Sequence, residues 1–276
     1  MARASIVPPK RHSSVSARTF LPLAVIFAVL IGATFLPPDS SLSEVDRTGR
    51  LSVCMPDAYP PLVTGDPDQP GFDVELLQAI TDRLGWRLNI VSNTAMGRNF
   101  NPRTWRINRA QCQMLAGGIA LNPTTKSFLD TSNPYLETGW AFAAAPDITF
   151  KEIEGPVGVF VGLTGLDRIA LGQFLRERDV AVVIVDSANA LVSGLEDGAF
   201  LAAITEALLA EHTFVGTGYA IDFMPPPFEQ LPLGLGFWKG DLTLKRKIEV
   251  VLDELRAEQF IDALASEYGI TDALQH

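Results

Sequence analysis

The chain has 276 residues, enough to bury one large hydrophobic core or two of ordinary size. Its formal net charge of −10 argues against nucleic acid or an anionic membrane surface as a partner. Two of its three histidines, His12 and His276, lie near the chain ends, and this leaves His212 alone inside the fold and excludes a multi-histidine metal site.

The N-terminus has the layout of an export signal. Lys10, Arg11 and Arg18 precede an apolar run at residues 20–36, and the basic flank places the rest of the chain on the far side of the membrane. No clean small-x-small cleavage site follows the run, so a cleaved signal and a retained N-terminal anchor both stay open. Residues 1–49 are therefore predicted as leader and linker, and the remainder as periplasmic.

The first half of the chain predicts an α/β unit. Asp73 is placed to cap a helix whose apolar residues recur at helical spacing, and Gly85 is placed to end it. The predicted elements are a strand at 51–55, a helix at 74–84, a strand at 86–90 and a strand at 114–119. This order of strand, helix, strand and crossover implies a parallel sheet.

The pattern restarts after Pro156 and predicts a second α/β unit. Its elements are a strand at 157–161, a helix at 166–176, a strand at 180–185, a helix at 188–195 and a strand at 200–204. A further strand at 235–238 and helices at 242–256 and 260–268 complete the chain. The last two helices are predicted to pack against the fold through one apolar face.

Motifs for catalysis or cofactor binding are absent from the sequence. There is no P-loop, no G-x-S-x-G and no G-x-G-x-x-G, so no cofactor is indicated and the chain is predicted not to be an enzyme. Two turns, at 162–165 and 122–126, could each present free backbone N–H groups to an anion. The alternatives are a plain turn at 162–165 and a solvated helix start at 122–126. The stretch 100–109, with Trp105 and three arginines, could grip a planar or carboxylated ligand, although a solvated basic helix face is favoured.

The two cysteines are Cys54, in a predicted strand, and Cys112, just before another. An exported chain meets an oxidising compartment, so a disulfide between them is plausible. Two buried thiols are the alternative, because the sequence does not supply the Cα separation that would decide.

Several motifs, in their order and spacing, carry a resemblance to a known family. They are Tyr59-Pro60-Pro61, Gly71-Phe72-Asp73, Gly117-Gly118 leading to Asn122-Pro123, Ser132-Asn133-Pro134-Tyr135 and the turn at 162–165. Over residues 50–270 the chain resembles the family 3 extracellular solute-binding proteins, the type II periplasmic receptors that serve ABC importers. The sequence does not name the ligand or the importer.

The resemblance implies an α/β, two-lobed type II periplasmic-binding-protein fold. Lobe 1 is expected at 50–140 plus 236–276 and lobe 2 at 143–232, with a ligand cleft between them and two hinge strands joining them. Closure on a small polar solute such as an amino acid, an amine or an organic acid would be a hinge motion. The expected partners are that solute and the membrane subunits of an ABC importer, and the protein itself is expected to be a monomer.

The family's ligand contacts fall on eight positions of this chain. They are Tyr59, Phe100, Gly118, Ala120, Thr125, Leu163, Thr164 and Glu206. Amino-acid-binding members usually place an arginine at the position of Thr125 to hold the ligand's α-carboxylate, and many offer a hydroxyl at the position of Ala120. Glu206 keeps the carboxylate that the family uses for the ligand's ammonium group, so an amine or cation is one expectation for this cleft. The alternative is that Lys126 and the nearby arginines replace the missing arginine.

Two alternatives follow from the same resemblance. The positions of Cys54 and Cys112 are similar to those in a branch associated with quinoprotein alcohol dehydrogenases, whose members could serve the dehydrogenase instead of an importer. Some relatives of this fold are dehydratases that use a cleft carboxylate as acid or base, and Glu206 could take that role.

Overall fold

The computed structural model describes residues 17–34, 39–96, 100–161 and 166–271. The chain forms two compact units, Met1–Pro38 and Asp39–His276. The first contains helix α1 (Ala17–Thr34). Among the described helices, none is both long and apolar enough to span a membrane. The site lies in the second unit.

The second unit alternates short strands with helices. Its helices are α2 (Ser41–Thr48), α3 (Phe72–Leu84), α4 (Pro123–Phe128), α5 (Arg168–Arg176), α6 (Ala188–Glu196), α7 (Ala207–Phe214), α8 (Leu242–Ala257) and α9 (Phe260–Glu267). Its strands are β1 (Arg50–Met55), β2 (Arg87–Ser92), β3 (Met114–Ala120), β4 (Leu129–Thr131), β5 (Leu136–Thr138), β6 (Trp140–Ala144), β7 (Val157–Val159), β8 (Val182–Ile184), β9 (Ala202–Glu206), β10 (Ala220–Phe223) and β11 (Leu231–Trp238).

The strands form two sheets. In the first sheet the order is β2-β1-β3-β11-β4, with β5 also paired to β11. Strands β1, β2 and β3 run parallel, as predicted, whereas β11 pairs antiparallel with β3, β4 and β5. Helix α3 packs on β2 and β3 and also contacts α8 and α9, so the C-terminal helices lie with the first sheet.

In the second sheet the order is β10-β6-β9-β7-β8. Strand β9 runs parallel to β7 and antiparallel to β6, and helices α6 and α7 pack against this sheet. The chain crosses between the sheets twice, at Gly139 between β5 and β6 and at residues 224–230 between β10 and β11. The α/β fold with two crossing segments agrees with the predicted fold class, and the lobe boundaries stay a prediction.

Helix α3 begins earlier than the sequence indicated. Gly71 is its N-cap, in a backbone conformation with φ of +112° that an L side chain rarely adopts, and Asp73 lies inside the first turn. The assignment of Asp73 as the N-cap was wrong because its carboxylate is occupied elsewhere, as described below. Gly85 does end the helix, in the left-handed conformation expected of it.

The stretch predicted as a basic helix face is not an α-helix. It contains one 3-10 turn at Pro102–Thr104, and Trp105 is buried. Arg103 donates to the Ser127 hydroxyl at 3.1 Å, and Arg109 forms an ion pair with Asp241 at 2.6 Å. The two arginines thus hold this loop against neighbouring elements.

Cys54 and Cys112 form a disulfide with a Cα–Cα distance of 5.6 Å, so the disulfide alternative is confirmed. The bond joins Cys54 in β1 to Cys112, which lies two residues before the neighbouring strand β3. It lies in a small apolar cluster with Trp105 and Trp238, whose indole N–H donates to the Cys112 carbonyl at 2.7 Å.

Helix α2 lies in the segment that the sequence placed in the leader and linker. Its first residue, Ser41, is buried and donates a hydrogen bond to Asp241, just before α8. Asp39 accepts hydrogen bonds from the backbone N–H and the hydroxyl of Thr243 in α8. Residues from Asp39 onward are therefore part of the folded unit.

Candidate ligand site

The first side of the site is built where β1 and β3 end. These strands are parallel, so the loop after β1, which carries Tyr59, reaches the same sheet edge as Gly117 and Gly118 near the end of β3. Gly118 has a φ of +83°, and a Cβ on it would lie 2.3 Å from Cε1 of Tyr59. Only glycine therefore lets the Tyr59 ring lie against this strand.

The carboxylate of Asp73 stabilises the backbone of the two β3 glycines. Its Oδ2 accepts from the backbone N–H groups of Gly117 and Gly118 at 2.6 and 3.2 Å, and its Oδ1 accepts from the Tyr135 hydroxyl at 2.8 Å. Burial raises the pKa of Asp73 to about 6, against the lowering effect of these three donors. The carboxylate is thus a structural anchor for the β3 glycines.

Glu206 forms the second side. It is the last residue of β9 and the N-cap of α7, where it accepts from the N–H groups of Leu208 at 3.2 Å and Leu209 at 2.8 Å. Only 1% of the residue is exposed. Burial raises the pKa of Glu206 to about 7, although these donors and Tyr59 lower it.

A hydrogen bond joins the two sides. The hydroxyl of Tyr59 donates to Oε1 of Glu206 at 3.0 Å, and the hydroxyl of Thr138, at the end of β5, donates to the same oxygen. Burial, and next the charge of Glu206, raise the pKa of Tyr59 well above its usual value, so it stays a donor. Three hydroxyl or N–H donors converge on Oε1, whereas Oε2 receives the Leu209 N–H.

The structure brings Tyr59, Gly118 and Glu206 together among the predicted contacts. Phe100 and Thr125 form a second pair, in which the buried Thr125 hydroxyl donates to the Phe100 carbonyl at 3.4 Å. Ala120, the last residue of β3, is buried as well. Leu163 and Thr164 lie outside the described residues. The role of all eight positions in binding a ligand stays a prediction.

Three buried residues at this site were not predicted to belong to it. Thr138 and Tyr135 are the hydroxyl donors already described, and Tyr135 was signalled only as part of a motif. The third, Trp140, pairs with Glu206 across β6 and β9. It is 3% exposed, and its indole N–H has no hydrogen-bond partner within the described parts of the chain.

A cavity of about 430 Å³ lies beside Trp140. Its lining includes a second aromatic residue, Phe228, and two carboxylates, Asp167 and Glu229. Asp167 also caps α5 by accepting from the N–H groups of Ile169 and Ala170. Aromatic faces and carboxylates together favour a positively charged group over an anion.

Solved structures of known proteins share this fold. The ancestral cationic amino acid solute-binding protein AncCDT-1 superimposes with a TM-score of 0.68 at 20% identity, over 83% of this chain and 100% of that one. A second AncCDT-1 structure, described as a precursor of cyclohexadienyl dehydratase, gives 0.60 at 21% identity, with coverages of 83% and 100%. A Streptococcus pneumoniae ABC uptake transporter substrate-binding protein with bound histidine gives 0.60 at 15% identity, over 85% and 98%.

At these identities the likeness establishes the fold alone. No curated protein sequence matches the chain. The sequence profile of the bacterial extracellular solute-binding proteins, family 3, matches residues 51–271, which is most of the chain. The protein belongs to the bacterial extracellular solute-binding proteins, family 3.

Proposed function

We propose that the protein captures a small, amine-bearing polar solute in a cleft between its two sheets, and that it does so without turnover. The observation that carries this proposal is the contact between Tyr59 and Glu206. It places the hydroxyl of an aromatic residue 3.0 Å from a buried carboxylate of the opposite sheet, at the carboxyl end of β3 in the first sheet and of β9 in the second. In open α/β sheets, ligands bind at such strand ends.

The charges near the site support an amine over an acid. Thr125 supplies no cation where amino-acid-binding members are expected to have an arginine, and Arg103 and Arg109 are engaged elsewhere. Glu206, and the carboxylates Asp167 and Glu229 that line the cavity beside Trp140, offer acceptors for an ammonium group. AncCDT-1 is named for cationic amino acids, and the pneumococcal structure holds histidine, which supports the same class of solute.

The proposal also includes the lobe boundaries, the location and the transport partner expected from the resemblance. The two lobes would comprise 50–140 plus 236–276 and 143–232, and the protein would act as a periplasmic monomer that delivers its solute to the membrane subunits of an ABC importer. The family description, extracellular and solute-binding, supports the location and the transport role.

A thermal-unfolding screen of the unit from Asp39 onward tests the proposal. The panel contains amines, cationic and neutral amino acids, and organic acids of matched size, each at millimolar concentration. A solute present at one hundred times its dissociation constant adds about 2.7 kcal/mol to the stability, a readily measured rise in the melting temperature. Stabilisation by amines and not by matched acids is expected, and no shift with any solute would contradict the proposal.

A second candidate is an accessory role for a periplasmic quinoprotein dehydrogenase. The disulfide between Cys54 and Cys112, the sequence feature behind this hypothesis, is present. Co-purification of the protein with such an enzyme, together with no solute binding, would favour this role. A dehydratase activity is a third candidate. The raised pKa of Glu206 favours it, as does the description of AncCDT-1 as a precursor of cyclohexadienyl dehydratase. Substrate turnover that is abolished by Glu206→Gln would establish this activity.

A further inference from the structure

Trp140 carries a buried hydrogen-bond donor without an acceptor. Its indole N–H has no partner within the described parts of the chain, whereas the indole N–H of Trp86 donates to Asp46 at 3.2 Å. The hydroxyl of Thr205 also lacks a described partner, but Thr205 precedes Glu206 in β9 and therefore faces the other side of the sheet from Glu206 and its pair Trp140. Native proteins keep few unpaired buried donors, because each destabilises the fold. The donor at Trp140 thus indicates a partner from outside the chain.

The Trp140 side chain borders two cavities, of about 350 and 430 Å³. Both are also lined by Phe228 and Glu229, in the segment 224–230 where the chain crosses back between the sheets. The ring of Phe228 is held by an edge-to-face contact with Phe174 of α5, with 4.9 Å between the ring centroids. The larger cavity has the size of a small-molecule site, so a solute can be accommodated beside the indole.

Two carboxylates that line the larger cavity have oxygen atoms available for a solute. The two N–H groups that Asp167 receives at the start of α5 both bond to its Oδ1, at 3.0 and 2.9 Å, and Oδ2 has no partner among the described residues. The Glu229 carboxylate has no hydrogen bond or ion pair with any described residue. Glu206, by contrast, already receives four donors. An ammonium group can therefore bond the cavity carboxylates without displacing a donor of the protein.

We propose that the cavity beside Trp140 selects the solute, and that this solute is an amine carrying a neutral oxygen acceptor, as amino alcohols and amino amides do. The ammonium group lies at Asp167 and Glu229, and the oxygen accepts the hydrogen bond of the Trp140 indole N–H. This inference rests on the proposed function, because it names the class of solute within it. Trp140 is thereby a specificity-determining residue, outside the eight positions that the resemblance indicated.

The arrangement disfavours two neighbouring classes of amine. A plain alkylamine brings no acceptor, so its binding leaves the indole N–H unpaired. An amino acid brings a carboxylate, which the two carboxylates of the cavity repel, and Thr125 supplies no cation to offset that repulsion. An uncharged hydroxyl or amide oxygen avoids both costs.

Trp140→Phe tests the role of the indole N–H, and Trp86→Phe is its matched control. Trp140→Phe keeps an aromatic ring and removes a donor without a described partner, so no described hydrogen bond of the side chain is lost. Trp86→Phe also removes an indole N–H, but Trp86 lies between α3 and β2 and lines neither cavity. The two variants make the same chemical change, and only one makes it beside the cavity.

Isothermal titration with aminobutanol and with pentylamine, an amine of similar size without an oxygen, measures the effect. The wild type should bind aminobutanol more tightly than pentylamine. Trp140→Phe should weaken the binding of aminobutanol about three- to tenfold, the contribution of one neutral hydrogen bond, and leave that of pentylamine unchanged. Trp86→Phe should change neither affinity. Equal affinities of the wild type and Trp140→Phe for aminobutanol would overturn the inference.

The indole signal of Trp140 in a nitrogen–proton correlation spectrum shows whether the N–H meets the solute. It is identified as the indole signal that Trp140→Phe lacks. Saturating aminobutanol should move its proton downfield, as a new hydrogen bond does, and pentylamine should move it much less. A signal that aminobutanol leaves in place would also overturn the inference.

Glu229→Gln tests the ammonium end of the site and covers the case in which Trp140→Phe fails to fold. Glu229 is exposed and its carboxylate has no described partner, so the replacement should leave the fold intact. It should weaken the binding of aminobutanol and pentylamine alike, about two- to fivefold, and unchanged affinities would contradict the placement of the ammonium group. If neither amine binds the wild type, the proposed function fails together with this site. If both bind with affinities that no variant changes, only this inference fails.

Discussion

Replacing Glu206 by glutamine should remove a pH dependence from the stability of the fold. Burial raises the pKa of this carboxyl from 4.5 to about 7, so the folded protein holds its proton more tightly than the unfolded chain does. Below pH 4.5 the group is protonated in both states and its contribution to stability is fully present. As the pH rises through 7, the folded protein must bury a charge, and that contribution is lost.

The size of the effect follows from the same two values. At about 1.4 kcal/mol for each tenfold change in the proton-binding constant, the difference corresponds to roughly 3 kcal/mol. Among the described residues that bond to Glu206, Tyr59 is the titratable one, and its raised pKa keeps it protonated throughout. Asp73, which acts on Tyr59, titrates near pH 6 in both proteins and largely cancels in the comparison.

Urea unfolding of the wild type and Glu206→Gln at pH 4.5, 5.5, 6.5 and 7.5 measures the difference. The stability of the wild type relative to the variant should fall by roughly 3 kcal/mol across this range. Glu206 also accepts hydrogen bonds from Tyr59, Thr138 and two backbone N–H groups, which favour the charged form. A relative stability that rises with pH would show that these donors outweigh burial and would refute the reasoning.

Two further predictions concern the framework of the site. Gly118→Ala should lower the free energy of unfolding by about 2–5 kcal/mol, because a methyl group strains the positive φ and displaces Tyr59. The control is Gly216→Ala, at a φ of +72° with open space around it, which should lower the free energy of unfolding by only about 1–2 kcal/mol. Urea unfolding measures both. Equal losses would contradict the contact with Tyr59. Replacing Cys54 and Cys112 by serine should lower stability by about 4 kcal/mol for a sequence separation of 58 residues, measured by thermal unfolding, and an unchanged melting temperature would contradict it.

The sequence indicated seven of the eleven strands and missed β4, β5, β6 and β10. Helix α3 and the buried strand β3 have apolar patterns long enough to be assigned. Strands β4 and β5 have three residues each, too few to show a period, and they form because β11 supplies partners from far along the chain. Pairing of this kind is a tertiary property.

The site shows the same division. The resemblance placed Tyr59, Gly118 and Glu206 in one cleft, and the structure brings them together. The resemblance did not indicate that Asp73 anchors the glycines of β3. An aspartate directly before an apolar helical pattern is equally suited to cap the helix, so its sequence position does not distinguish the two roles. Nor did it indicate Thr138, whose hydroxyl meets Glu206 only once the two sheets are assembled.

Solution binding tests the central claim most directly. Isothermal titration of the unit from Asp39 onward with the amines and matched acids of the solute panel would measure whether the cleft takes up a ligand and of which charge. Saturable binding of at least one amine at a stoichiometry of about one, lost when the solute's ammonium group is acetylated, is the predicted result. Binding of an acid in preference, or no heat from any solute, would contradict the account.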